Sequence, residues 1–286
     1  MTTGLSLWFF AVSLVASALG GMLGMAGGIF IVPVLTTFGG IGVHEAIGAS
    51  IVSVIACSCS SAAPLLKRGL TNVRLAIVLE TATTLGALTG IVLNGVLPVS
   101  FLFLFFALVL LLSAYQMLAR RTATAPVTAT NGEKWASSLR LDSSYRDDVT
   151  GERVPYEVKR LPVGMSLMYG AGLVSALLGI GSGVLKIPAM DTALRLPIKV
   201  SSATSNFMIG VTAAASAGAY FVRGDIVPAI AGPVALGSVV GALVGARGLL
   251  LLSNERLRTL FVTVLILLAS QMLLRAFGIH VFQRSE

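Results

Sequence analysis

Residues 19–35 read LGGMLGMAGGIFIVPVL, an apolar run that holds five glycines and Pro33. A bilayer would accept its hydrophobicity. Yet glycine and proline are the poorest helix formers, about 1 and about 3 kcal/mol worse than alanine in a helix interior. The run therefore points to a membrane helix that is interrupted. The pattern recurs once. Adding 155 to positions 18–120 lands without a gap on 173–275, and Gly24, Gly28 and Pro33 fall on Gly179, Gly183 and Pro188. Ser50 falls on Ser205, Arg68–Gly69 on Arg223–Gly224, and GALTG at 86–90 on GALVG at 241–245. Self-similarity at one fixed offset is the signature of a tandem duplication.

The remainder of the chain agrees with a membrane setting. Of 286 residues, 56% are hydrophobic and only 11% charged, with mean hydropathy +0.92, whereas soluble domains carry about 25% charged residues. Apolar runs long enough to cross a bilayer, about 20 residues, lie at 5–36, 46–66, 75–97, 99–118, 162–194, 200–221, 226–250 and 257–277. The expected fold class is all-α: a polytopic helical membrane protein built of two tandem repeats, each with a glycine-broken first helix. Its expected divisions are a first transmembrane repeat at 1–120, a polar cytoplasmic loop at 121–160 and a second transmembrane repeat at 161–286. The start MTTGLSLWFF has neither a basic flank nor a small-residue cleavage site, so residues 5–36 are expected to belong to the fold rather than to a removed signal.

The net charge of +8 is read as a record of orientation through the positive-inside bias, not as nucleic-acid binding. Lipid is the expected surrounding. The two cysteines, Cys57 and Cys59, sit within an apolar segment; a disulfide between residues two apart on one helix is geometrically poor. Small packing residues are the favoured reading, with soft-metal or sulfur chemistry as the alternative. No metal or cofactor is expected.

If the broken segment crosses the membrane fully, each half has four crossings and the repeats are parallel. If it enters and returns, each half has three and the second is inverted. With the 121–160 loop inside, the inverted arrangement leaves only Arg223, Arg275 and Arg284 outside and Lys186 at membrane depth. The parallel one instead places Arg195, Lys199, Arg247, Arg256 and Arg258 there. Charge favours inversion.

Glycine-rich breaks at matching places in two repeats point to a transporter site, because non-helical backbone is tolerated at membrane depth only where protein buries it or it lines a cavity. The segment after each break restarts as a half-helix whose first N–H groups lack intrahelical partners and whose end is partly positive. Such an end suits an anion. The candidate substrate-binding residues are Gly24, Gly27, Gly28 and Ser50 in the first half, and Gly179, Gly181, Ser182, Gly183, Lys186, Ser205 and Asn206 in the second. Close helix packing would also account for the glycines, but the proline at the same distance after both breaks favours the interruption. Lys186 costs about 3 kcal/mol at membrane depth, which facing an anion would offset, unless its stem snorkels to a surface. Glu80, in AIVLETATTLG, is the coupling candidate, as proton carrier or cation partner, against a shallow, solvated place. Ser50, Ser201, Ser202, Thr204, Ser205 and Asn206 offer donors for an oxyanion or for ordinary interhelical bonds.

The sequences GMLGMAGGIFIVPVL, AIGAS and LLKRGLTNVRLA, with GIGSGVLKIPAM, SATSNFMIG and VRGDIVPAI in the second half, resemble the sulfite exporter family TauE/SafE of bacterial membrane permeases. The likeness covers everything but the central loop. Ala26 and Ser182 depart from the family's usual glycine run. The resemblance implies an integral protein of the bacterial plasma (inner) membrane that moves sulfite, a related sulfur oxyanion or an organosulfonate. Sulfite changes protonation near neutral pH, so proton coupling is one hypothesis. An anion channel or an importer of another sulfur compound is the alternative. An enzyme is not expected: H-E-x-x-H and G-x-S-x-G are absent, and so is the G-x-x-x-x-G-K loop of a pump.

Overall fold

The computed structural model describes residues 3–93, 99–119, 139–147, 151–178 and 183–276. It is mostly helical: α1 Thr3–Leu23, α2 Gly28–Phe38, α3 Val43–Lys67, α4 Val73–Leu93 and α5 Val99–Ala119, then α6 Leu161–Leu178 and α7 Gly183–Pro188, which runs on into a π-turn, Ala189–Ala193. The chain continues through α8 Ile198–Val222, α9 Pro228–Leu251 and α10 Asn254–Ala276. The first residues of α2, α3, α4 and α5, at 28, 43, 73 and 99, recur as the first residues of α7, α8, α9 and α10, at 183, 198, 228 and 254. The offset that aligns the sequence thus also aligns where helices begin. Local signals explain the matching starts. Gly69 and Gly224, both at positive φ, end the preceding helices as glycine does at C′. Asn72 caps α4 by accepting the Leu75 amide at 3.1 Å, and Pro228 opens α9 where a missing N–H costs nothing.

Four helical spans among the described residues, Gly4–Leu23, His44–Lys67, Val73–Gly90 and Pro228–Leu251, are long and apolar enough to cross a membrane. Their outward faces are apolar too, since Leu7, Leu66, Leu85, Leu88 and Leu236 are exposed. A water-soluble protein would not display so much hydrocarbon; lipid would solvate it.

The chain divides into two compact units. One takes the chain as far as Thr71 together with Ser202–Leu251; the other takes Asn72–Ser201 together with the chain from Leu252. In the first unit α1 lies along α9, and α3 along α9. Small residues permit this. A Cβ on Gly237, Gly241 or Gly245 would come within 2.1–2.3 Å of Ser13 Oγ and the Phe10 carbonyl, of the Leu14 carbonyl and of the Ala18 carbonyl respectively. These contacts advance together, so α1 and α9 run parallel. Gly48 against the Asp225 carbonyl and Ser53 Oγ against Ser238 Oγ make α3 parallel to α9 as well. The core here gathers Phe9, Ile31, Leu35, Ile230 and Val234. The end of α2 lies near the start of α1, with Gly39 against Trp8.

In the second unit α4 packs on α6, and α5 on α10. A Cβ on Gly86 would meet the Tyr169 carbonyl oxygen at 1.9 Å. Gly86 and Tyr169 are the counterparts, at the same offset, of Gly241 and Leu14, so one close contact is made twice with the halves exchanged. The Lys159 amide donates to the Leu194 carbonyl at 3.2 Å, which joins the chain just before α6 to the chain just after the π-turn.

The all-α expectation needs one correction. The stretch expected as an exposed loop holds an antiparallel hairpin, β1 Ser143–Arg146 and β2 Arg153–Tyr156, with Tyr145 opposite Val154. Its overall composition is polar, but Tyr145, Val154 and Tyr156 are strand formers, and Gly151 turns the chain at φ +73°. Tyr145 and Tyr156 are buried, with Leu141 and Val158.

The parallel α1–α9 contact predicts an asymmetric response to added volume. Gly241→Val should cost about 2 kcal/mol or more, as overpacking against backbone does. Gly232→Val, at an exposed glycine with no heavy atom within 4 Å of its Cβ, should be nearly neutral. Thermal unfolding of the detergent-solubilised protein would compare them.

Candidate functional site

The first break occupies residues 24–27, between α1 and α2. A helix end leaves its last carbonyls without intrahelical partners, and where they are buried they must be satisfied by protein. The chain does this in two ways. Gly24 turns into the left-handed region at φ +79°, and the Met25 amide donates back to the Gly20 carbonyl at 2.8 Å, the bond that closes a Schellman cap. Side chains of α8 supply the rest: Asn206 Nδ2 donates to the Gly21 carbonyl at 2.6 Å and Ser205 Oγ to the Gly24 carbonyl at 2.7 Å. On the α3 side, Ser50 Oγ donates to the Gly28 carbonyl at 3.3 Å. Ser205 and Asn206 are fully buried and Ser50 nearly so. The expected donors therefore do converge on the first break, but on its backbone.

Close approach fixes two residue types here. A Cβ on Gly20 would lie 1.9 Å from the Gly27 amide nitrogen, and one on Gly28 would lie 2.7 Å from Val54 Cγ2. Ala26, where the family's run has glycine, sits at φ +53°, a conformation that costs an ordinary residue about 1–2 kcal/mol. Of the first amides of α2, those of Gly28 and Phe30 bond within the turn, to the Ala26 and Gly27 carbonyls. Asn206 Oδ1 and Ser17 Oγ, both buried, have no hydrogen-bond partner among the described residues.

Gly179, Gly181 and Ser182 lie outside the described residues. Gly183 begins α7 and is buried, as is every residue of that helix. Lys186, entirely buried, donates to Glu80 Oε2 at 2.9 Å. Glu80 is thus the partner of a cation, and the Lys186 charge is met by a carboxylate. Two further pairs were not foreseen. Arg258 donates to Asp191 Oδ1 at 3.0 Å, and Lys199 to Asp147 Oδ1 at 2.8 Å. Asp191 is fully buried in the π-turn. The signal was available in its place within the apolar run 162–194. Its partner, 67 residues on, carries no such mark.

The cysteines do not act together. Cys57 is buried with Sγ 3.7 Å from the Ser17 carbonyl, while Cys59 is exposed. Among the described residues no three His, Cys, Asp or Glu side chains gather as a metal would require.

Against known proteins, the family model described as Sulfite exporter TauE/SafE matches residues 9–272. The chain belongs to the TauE/SafE family. It is also 24% identical over 267 residues to the "Probable membrane transporter protein YunE" of Bacillus subtilis (strain 168), covering 91% of this chain and 94% of that protein. No solved structure gives a significant match. As a TauE/SafE member the chain is an integral membrane transporter, and a small anion is the kind of substrate its family carries.

The buried Lys186–Glu80 pair predicts non-additive stability. Lys186→Met or Glu80→Gln alone leaves the other group unpaired and should destabilise by about 3–5 kcal/mol. The double variant should recover most of that loss, as a double-mutant cycle read by unfolding in detergent would show.

Proposed function

We propose that this TauE/SafE member is a secondary transporter that exports sulfite or a closely related sulfur oxyanion or organosulfonate, binding it at half-sites built around the two helix breaks. One observation carries this reading. A helix end at membrane depth in the first half is capped by Ser205 and Asn206 of the second half, and interruptions held this way mark substrate sites rather than packing seams. The first half-site comprises Gly24, Gly27, Gly28 and Ser50 with Ser205 and Asn206, and the partly positive end of α2 offers the attraction. The second comprises Gly179, Gly181, Ser182, Gly183 and Lys186.

Lys186 then has two alternative partners. In the arrangement described it holds Glu80; during transport the anion takes the place of that carboxylate. Protonation of Glu80 weakens its hold on Lys186 and so favours the anion, which makes Glu80 the coupling residue.

The two halves are read as an inverted duplication. A broken segment that crossed fully would make α1 and α3 antiparallel, whereas both run parallel to α9. The Gly39–Trp8 contact and the Lys159–Leu194 hydrogen bond likewise support segments that return to the side they left. Each half then has three crossings, and the membrane concerned is the plasma (inner) membrane, with the 121–160 segment inside.

Two experiments test this. In proteoliposomes, sulfite flux should saturate, show counterflow and be competed by a short organosulfonate. Lys186→Ala should weaken anion binding while helical content survives. Absence of flux at every imposed pH gradient and potential would remove sulfite; wild-type affinity in Lys186→Ala would remove Lys186 from the site. Flux unaltered by pH gradients at fixed potential would remove the proton. For topology, Arg68→Cys and Arg223→Cys, made in a chain with Cys57 and Cys59 replaced by serine, should label from opposite faces with an impermeant maleimide. Labelling from one face would establish parallel halves.

A further inference from the structure

The segment joining the halves does more than tether them. Four sets of bonds tie it to the second unit. Asp147 Oδ1, beside the hairpin, takes Lys199 Nζ at 2.8 Å, and Lys199 is the second residue of α8. The Tyr145 hydroxyl accepts from Asn254 Nδ2 at 3.3 Å, and Asn254 is the first residue of α10. Asn72, which caps α4 through its Oδ1, uses its Nδ2 to reach the Leu141 carbonyl at 2.7 Å and the Tyr156 hydroxyl at 3.3 Å. The Lys159 amide bonds the Leu194 carbonyl, just past the π-turn. Lys199, Asp147, Asn72 and Tyr145 are all buried, so these are interior contacts and not surface decoration.

We infer that residues 139–147 and 151–159 form a latch that holds the first turns of α4, α8 and α10 together and must loosen for the transporter to turn over. The helices so gripped are those that carry Glu80, Asn206 and Arg258. A transporter that changes the side to which its site opens has to let its helices move at that end. A buried ion pair is suited to specifying one docked arrangement rather than to adding stability, because desolvation offsets most of its Coulomb energy. Burial pushes the Tyr145 hydroxyl above its ordinary pKa, opposed by the Asn254 bond and reinforced by Asp147. It therefore stays protonated at neutral pH, and its oxygen remains an acceptor for Asn254. The latch is a property of the second unit alone; only its effect on transport rests on the function proposed above.

Charge reversal tests it. Asp147→Lys and Lys199→Asp should each speed amide hydrogen exchange at least about tenfold, by the local-opening logic of exchange, at the hairpin and at the first turns of α4, α8 and α10 together. The double reversal Asp147→Lys/Lys199→Asp should restore protection. Tyr145→Phe, which removes only the acceptor for Asn254, is the milder variant should a reversal fail to fold. In flux assays the variants that loosen the hairpin should change the rate for whichever anion the wild type carries, and the double reversal should return it. Exchange rising at the hairpin alone would overturn the latch, as would loosened helix starts with unchanged flux. The exchange readout needs no substrate, so a protein that failed to move sulfite would overturn the transport reading and leave the latch to be judged separately.

Discussion

A buried backbone carbonyl has no water to turn to. Once the chain ends α1 at Leu23 instead of carrying it through, that fact governs its neighbourhood. The carbonyls of Gly20, Gly21 and Gly24 need donors. Met25 supplies one from the chain itself; Asn206 and Ser205 supply the others from α8. These donors are fixed by a helix that must lie close, and close approach demands small residues. The glycines and the serine-rich helix starts are therefore two halves of one requirement, which explains why both occur at the same offset in the two halves of the chain.

Charge follows a different rule, and here the halves part company. Lys186, Asp191 and Arg258 correspond to Ile31, Thr36 and Phe103, and Glu80 corresponds to Ala235. The second unit is braced by buried ion pairs, while the positions that match their members at the offset of 155 are uncharged. Positions that match at the offset of 155 but differ in polarity are free to take separate roles. Charges so buried are tolerated only in pairs, which is why Lys186 and Glu80 are best regarded as one unit.

Much of this was legible from composition and spacing. The glycine- and proline-bearing run at 19–35 and the offset of 155 rest on local pattern and on internal repetition. The pairs Asp147–Lys199 and Asp191–Arg258 do not. Their members lie 52 and 67 residues apart, and nothing in the neighbourhood of Arg258 or Lys199 distinguishes a buried cation from a surface one. The hairpin escaped for a related reason. Four apolar side chains, Leu141, Tyr145, Tyr156 and Val158, are buried within a stretch whose overall composition is polar, and strands of four residues give alternation too short to stand out.

The donors' observed bonds also bear on how an anion could be held. From sequence, Ser205 and Asn206 were donors either for an oxyanion or for interhelical bonds; in the structure they bond the carbonyls at the end of α1. That end of a helix carries partial negative charge and would repel an anion, whereas the start of α2, a few residues on, carries the opposite sign. Donating to the Gly21 and Gly24 carbonyls offsets the unfavourable end while leaving the favourable one in place. On the proposed reading, two neutral side chains thus shift the field of the break toward the anion without placing a full charge in hydrocarbon, where one costs about 3 kcal/mol. On the same reading Lys186 serves the other break, where Glu80 holds it until the substrate replaces that carboxylate.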